Sequence, residues 1–104
     1  MREISVQELA ERRTSGADVI VLDIREHFER EVAVLSGCVH IPMRDVPQRL
    51  QELPTDREIL VLCHTGRRSA VVVQMLTAAH FSAANVRGGI HAWSLQIDPS
   101  VPTY

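Results

Sequence analysis

The chain has 104 residues, of which 45% are hydrophobic and 23% are charged, and its formal net charge is −2. This length fits one domain over residues 1–104 with a core of its own. Eleven basic residues against thirteen acidic ones argue against a nucleic-acid-binding surface, and because all eleven are arginine, lysine Schiff-base chemistry is excluded. Two cysteines do not make a disulfide scaffold, and no targeting signal or membrane-length apolar run is visible. We therefore expect a cytoplasmic protein with free thiols and no membrane partner.

The predicted elements alternate between helices and strands along the chain. In order, they are a helix from Ser5 to about Arg13, a strand over 18–24, a helix over 26–32, a strand over 39–41, a helix over 46–53, a strand over 58–63, a helix over 68–80 and a strand over 85–87. The proline-rich tail over 98–104 is expected to be irregular. This alternation predicts an α/β sandwich with a mainly parallel sheet.

Two of these predictions indicate how the layers pack. The strands over 18–24 and 58–63 are continuous apolar runs, which is typical of strands covered on both faces. The helix over 68–80 is apolar almost all round, so we expect it to pack deeply against the sheet. Reactive sites in parallel sheets lie beyond the C-terminal ends of the strands, which directs attention to the residues after Ile24 and Leu62.

A thiol, a glycine and two arginines follow the strand over 58–63. The segment reads Cys63-His64-Thr65-Gly66-Arg67-Arg68-Ser69. A cysteine at the end of an apolar strand is commonly a core residue. Here, however, a tight glycine turn leads into a helix, so several backbone N–H groups converge on one anion-binding concavity. These surroundings favour the thiolate form of Cys63, which is the nucleophilic form.

This loop resembles the active-site loop of the rhodanese-like family, C-x-x-G-x-R-[ST]. Three other landmarks of that family occur in the expected order. The segment 22–26 resembles its aspartate–x–arginine–glutamate element, 36–42 resembles its P-G-A-x-N-I-P segment, and 88–93 matches its G-G-x-x-A-W element. The resemblance covers nearly the whole chain.

The resemblance implies a three-layer α/β sandwich with a mostly parallel, five-stranded sheet flanked by helices. It also implies a sulfurtransferase of the thiosulfate:cyanide type. Cys63 would take the outer sulfur of thiosulfate or of a persulfide donor and pass it to cyanide, a thiol or a carrier protein. The backbone N–H groups of residues 64–69 would hold the terminal sulfur. No cofactor is indicated, and the histidines show no metal-ligand spacing with either cysteine.

Five further residues receive roles in this interpretation. Arg68 matches the arginine of the family loop and is expected to orient the loop through backbone carbonyls or to bind an anionic donor. Arg67 is expected to face solvent, towards thiosulfate or a partner. Asp23 and Arg25 should lie near the loop and shape it through an ion pair or a backbone hydrogen bond. Cys38 is expected to be a packed core thiol, with a resolving role for Cys63 as the alternative.

Other functions remain open at this point. Cysteine phosphatases use C-x5-R, which would require an arginine where Ser69 stands, so the loop is one residue too short; arsenate reduction is a related alternative. A third alternative is a sulfur-relay module with negligible thiosulfate turnover. The segment 92–104 resembles the ending of rhodanese domains fused to ubiquitin-activating-like adenylating enzymes, which implies a ubiquitin-like sulfur carrier or a persulfide donor protein as partner.

Overall fold

Five parallel strands form one sheet at the centre of the computed structural model, which describes residues 1–104. The strands are β1 (Glu3–Ile4), β2 (Val19–Asp23), β3 (Val39–His40), β4 (Glu58–Leu62) and β5 (Ala83–Val86). Their order across the sheet is β1-β5-β4-β2-β3, and every neighbouring pair is parallel. The strand β4 is therefore central, so a residue that follows it is surrounded by the ends of its neighbours.

Three α-helices connect strands, and a fourth follows β5. They are α1 (Val6–Ser15), α2 (His27–Val32), α3 (Arg67–Ala78) and α4 (Gly89–Gln96). The Ser5 hydroxyl caps α1 by accepting a hydrogen bond from the backbone N–H of Glu8, and Gly16 ends that helix in the left-handed conformation. No helix is long and apolar enough to cross a membrane.

The core has two halves, one on each face of the sheet. Alternate residues of β4 point to opposite faces, so Leu60 and Leu62 pack with residues of α1 and α4, such as Leu9 and Trp93. On the other face, Ile59, Val61 and Cys63 pack with α3. The predicted three-layer arrangement with a parallel sheet is thereby confirmed.

Two predicted features are wrong in detail. The segment predicted as an α-helix over 46–53 forms two 3₁₀-helices, Met43–Gln48 and Leu50–Glu52. Pro47 has no N–H to donate, and the backbone instead closes tighter turns, such as the bond from Arg49 N–H to the Val46 carbonyl. The helix α3 is also less deeply covered than expected, because Val71 is 56% exposed.

Candidate active site

The Cys63 loop lies at the C-terminal end of the central strand and leads directly into α3. Gly66 makes the turn at φ +97°, a conformation that glycine adopts without a Cβ clash. A Cβ on Gly66 would lie 3.1 Å from the Gly88 nitrogen and 3.5 Å from the Val86 carbonyl oxygen. The turn therefore requires glycine both for its dihedral angle and for its close approach to the segment after β5.

The sulfur of Cys63 is held inside this turn, and the residue is only 1% exposed. Its Sγ accepts hydrogen bonds from the backbone N–H groups of Gly66, at 3.1 Å, and Ser69, at 3.4 Å. The backbone N–H groups of Thr65, Arg67 and Arg68 make no hydrogen bond within the protein. Because Arg67 and Arg68 are the first residues of the twelve-residue helix α3, the turn and the helix N-terminus form one site suited to negative charge.

Asn85 is a site residue that the sequence analysis missed. Its Oδ1 accepts a hydrogen bond from the Ser69 hydroxyl, and its Nδ2 donates to the Gly66 carbonyl oxygen at 3.1 Å. The Ser69 hydroxyl oxygen also lies 3.1 Å from the Cys63 sulfur. A polar residue inside a short buried strand was the available signal, because a buried amide needs partners.

Asp23 and Arg25 form a buried ion pair beside the loop. Both side chains are fully buried, and the guanidinium meets the carboxylate through Nε–Oδ1 at 3.0 Å and Nη2–Oδ2 at 2.9 Å. Arg25 also donates to the Ala33 carbonyl at 2.9 Å, which ties the end of β2 to the end of α2. Although burial opposes it, the hydrogen bonds that Arg25 donates to Asp23 and Tyr104 keep the pKa of Arg25 above its ordinary value.

Arg68 binds a carboxylate and not the loop carbonyls. Its two Nη atoms lie 2.8 and 2.7 Å from the two oxygens of Glu29 on α2. These bonds are the main reason that the pKa of Glu29 falls to about 2. The Arg68 side chain is 37% exposed, so one side of the guanidinium faces the solvent at the start of α3.

Tyr104 links these two ion pairs to the loop. Its hydroxyl accepts a hydrogen bond from Arg25 at 3.0 Å and donates one to Glu29 at 2.8 Å. Its ring stacks on His64, with centroids 3.8 Å apart and planes within 8° of parallel. Burial raises the pKa of Tyr104 to about 12, so its hydroxyl remains a donor at neutral pH.

Of the remaining predicted residues, two lie on the surface of the loop and one packs in the core. Thr65 and Arg67 are exposed, and Arg67 has no ion-pair partner. Cys38 packs against the half of the core formed with α1 and α4, whereas Cys63 belongs to the other half. Burial raises the pKa of Cys38 to about 11, and both cysteines are free thiols. The structure therefore does not bring the two sulfurs together.

Comparison with known proteins agrees with this geometry. The family model described as the rhodanese-like domain matches residues 5–96. The chain belongs to the rhodanese-like family. A solved rhodanese-like domain protein from Staphylococcus aureus superposes with a TM-score of 0.87 at 30% identity, over 100% of this chain and 99% of that one.

The curated relatives of this rhodanese-like chain include proteins of similar length and longer ones. The putative sulfurtransferase YtwF of Bacillus subtilis is 32% identical over 95% of this chain and 96% of its own length. The probable adenylyltransferase/sulfurtransferase MoeZ of Mycobacterium tuberculosis is 33% identical over 97% of this chain, but this match spans 26% of MoeZ. These relatives support sulfurtransferase activity in general and confirm the resemblance to the fused domains.

Proposed function

We propose that this rhodanese-like chain is a sulfurtransferase that carries sulfur as a persulfide on Cys63. The observation that carries the proposal is the sulfur held by two backbone N–H groups, with three further N–H groups of the same turn free of hydrogen bonds within the protein. Such donors stabilise an anion without any side-chain rearrangement. A terminal persulfide sulfur is an anion that such backbone donors can stabilise.

The reaction proceeds in two displacements at sulfur. In the first, the Cys63 thiolate attacks the outer sulfur of thiosulfate, a new S–S bond forms, and sulfite leaves with the electron pair of the broken bond. In the second, the carbon of cyanide attacks the outer sulfur of the persulfide, which gives thiocyanate and restores the thiolate. An acceptor thiolate would take the sulfur in the same way and become a persulfide itself. Each half-reaction has one attacking nucleophile, Cys63 in the first and the acceptor in the second, and neither step needs a cofactor.

The two arginines of the loop have different roles in this proposal. Arg67 is exposed and unpaired, so it attracts the thiosulfate dianion to the mouth of the loop. Arg68 is held by Glu29, so it braces the start of α3 and offers an anion only its exposed side. Asp23 and Arg25 support the same region from β2, because Arg25 reaches Glu29 and Tyr104.

A relay with a protein donor or acceptor is the second candidate. It is favoured by the putative sulfur carrier protein YrkF of Bacillus subtilis, which is 36% identical over 88% of this chain and 50% of its own length. It is also favoured by MoeZ, whose name joins an adenylyltransferase to a sulfurtransferase. In that case a persulfide donor protein would load Cys63 and a sulfur-carrier protein would unload it. Phosphatase or arsenate reductase activity is not proposed, because no contact of the loop favours a tetrahedral oxyanion over a sulfur atom.

Thiocyanate formation from thiosulfate and cyanide tests the proposal. We expect double-reciprocal plots with parallel lines, since sulfite leaves before cyanide reacts. Cys63→Ser should lose all turnover while keeping the circular-dichroism spectrum, and the matched variant Cys38→Ser should keep turnover. Turnover in the Cys63→Ser variant would refute the mechanism. Sulfur uptake by Cys63 without thiocyanate formation would favour the relay.

A further inference from the structure

Asn85 is the polar residue of β5, and its side chain lies behind the Cys63 loop. It is 2% exposed, and both polar atoms of its amide have hydrogen-bond partners. Nδ2 donates to the Gly66 carbonyl oxygen at 3.1 Å and to a Glu3 carboxylate oxygen at 3.2 Å. Because both of these partners are acceptors, the orientation of the amide is fixed and Oδ1 must face Ser69.

The two loop residues that Asn85 holds are the two that donate to the sulfur. Gly66 is held through its carbonyl and Ser69 through its hydroxyl, and the backbone N–H of each bonds to the sulfur of Cys63. One buried carboxamide thus contacts the turn at both ends. We propose that Asn85 is a positioning residue for Cys63, which aligns these two N–H groups on the sulfur.

The Ser69 hydroxyl supports this assignment because it has a single proton. Asn85 Oδ1 cannot donate, so the Ser69 hydroxyl donates to Asn85 and accepts a hydrogen bond from the Cys63 thiol across 3.1 Å. A thiolate or persulfide has no proton on Sγ. As long as the Ser69 hydroxyl donates to Asn85, the hydrogen bonds to a thiolate or persulfide sulfur come from the backbone N–H groups. The alignment of those N–H groups depends on Asn85.

This inference rests on the proposed function for its effect on sulfur transfer, but alkylation of Cys63 tests it separately. Iodoacetamide reacts with the same sulfur and needs no sulfur donor. In Asn85→Ala, we expect the alkylation rate constant of Cys63 at pH 7 to fall about tenfold, the order expected for losing one or two hydrogen bonds. The kcat for transfer from thiosulfate should fall by a similar factor, and KM should change by less than about twofold, because donor attraction depends on Arg67.

Three further variants separate alignment from other causes. Asn85→Thr has a similar size, and its hydroxyl can replace one of the bonds, so its rate should lie between those of Asn85→Ala and the wild type. Glu3→Gln changes only the third partner of Asn85 and should stay within about twofold of the wild type. In Asn85→Ala the freed Ser69 hydroxyl can turn to the sulfur, so the double variant with Ser69→Ala should be slower still.

The rates are compared only for variants that remain folded at the assay temperature, as judged by thermal unfolding. The order wild type, Asn85→Thr, Asn85→Ala from fastest to slowest supports the inference. A wild-type rate in Asn85→Ala overturns it, and so does a Glu3→Gln variant as slow as Asn85→Ala. If Asn85→Ala does not fold, Asn85→Thr decides by being slower than the wild type or equal to it. If iodoacetamide alkylates Cys63 of the wild type but thiosulfate adds no sulfur to it, the proposed function is contradicted. The alkylation rates of the variants still test the role of Asn85 in that case.

Discussion

Replacing Glu29 by glutamine tests the ion pair that braces the start of α3. The pKa of Glu29 lies near 2 instead of its ordinary 4.5, chiefly because of the two hydrogen bonds from Arg68. A difference of that size corresponds to about 3 kcal/mol of stability at neutral pH. Since the Arg68 side chain is 37% exposed, water screens the pair, and we expect Glu29→Gln to cost roughly 1–2 kcal/mol at pH 7.

The stability that Glu29 contributes should decrease as the pH is lowered. Because the pKa of Glu29 is lower in the folded state, its contribution is complete above about pH 5 and is lost as the pH falls from 4.5 towards 2. Urea unfolding curves of the wild type and Glu29→Gln should therefore differ less at pH 3 than at pH 7. Glu52→Gln is the matched control, because Glu52 makes the same two-bonded contact with Arg49 on the exposed surface. An equal cost in both variants, or a cost that does not change with pH, would refute the reasoning.

Three further predictions concern the loop and the second thiol. Gly66→Ala should reduce the rate of sulfur transfer more than tenfold. Gly37→Ala is the control, because Gly37 has a similar positive φ but open space where its Cβ would lie, and it should keep the rate. Equal losses of rate in the two variants would contradict the role given to the close contacts of Gly66. Alkylation of Cys38, followed by peptide mass, should be slow at pH 8 and increase as the pH approaches 11, and a fast reaction at pH 8 would contradict the raised pKa of Cys38. Arg68→Ala should slow transfer more than Cys38→Ala does, and equal losses would place Cys38 in the mechanism.

Features that depend on neighbouring residues in the chain were predictable from the sequence. The apolar runs of β2 and β4 and the turn from Cys63 through Gly66 are local, because burial on both faces and helix initiation leave their pattern in adjacent residues. These features were sufficient to predict a parallel sheet with Cys63 at its C-terminal edge.

Features that depend on distant residues were not predictable. The strand β1 has two residues and exists because it pairs with β5, which no pattern in so short a segment can indicate. Glu29 and Tyr104 are separated from Arg68 by 39 and 36 positions, yet all three meet at the loop. Asn85 reaches Ser69 from another strand. Their roles follow from tertiary packing, which brings a helix, the C-terminal tail and a neighbouring strand to the same edge of the sheet.

The mass of the intact protein after exposure to thiosulfate tests the central claim most directly. The protein would be reduced, mixed with thiosulfate, freed of excess reagent and weighed by mass spectrometry beside Cys63→Ser and Cys38→Ser. The account predicts a gain of one sulfur atom in the wild type and in Cys38→Ser, and no gain in Cys63→Ser. A gain that survives in Cys63→Ser, or is lost only in Cys38→Ser, would contradict the account.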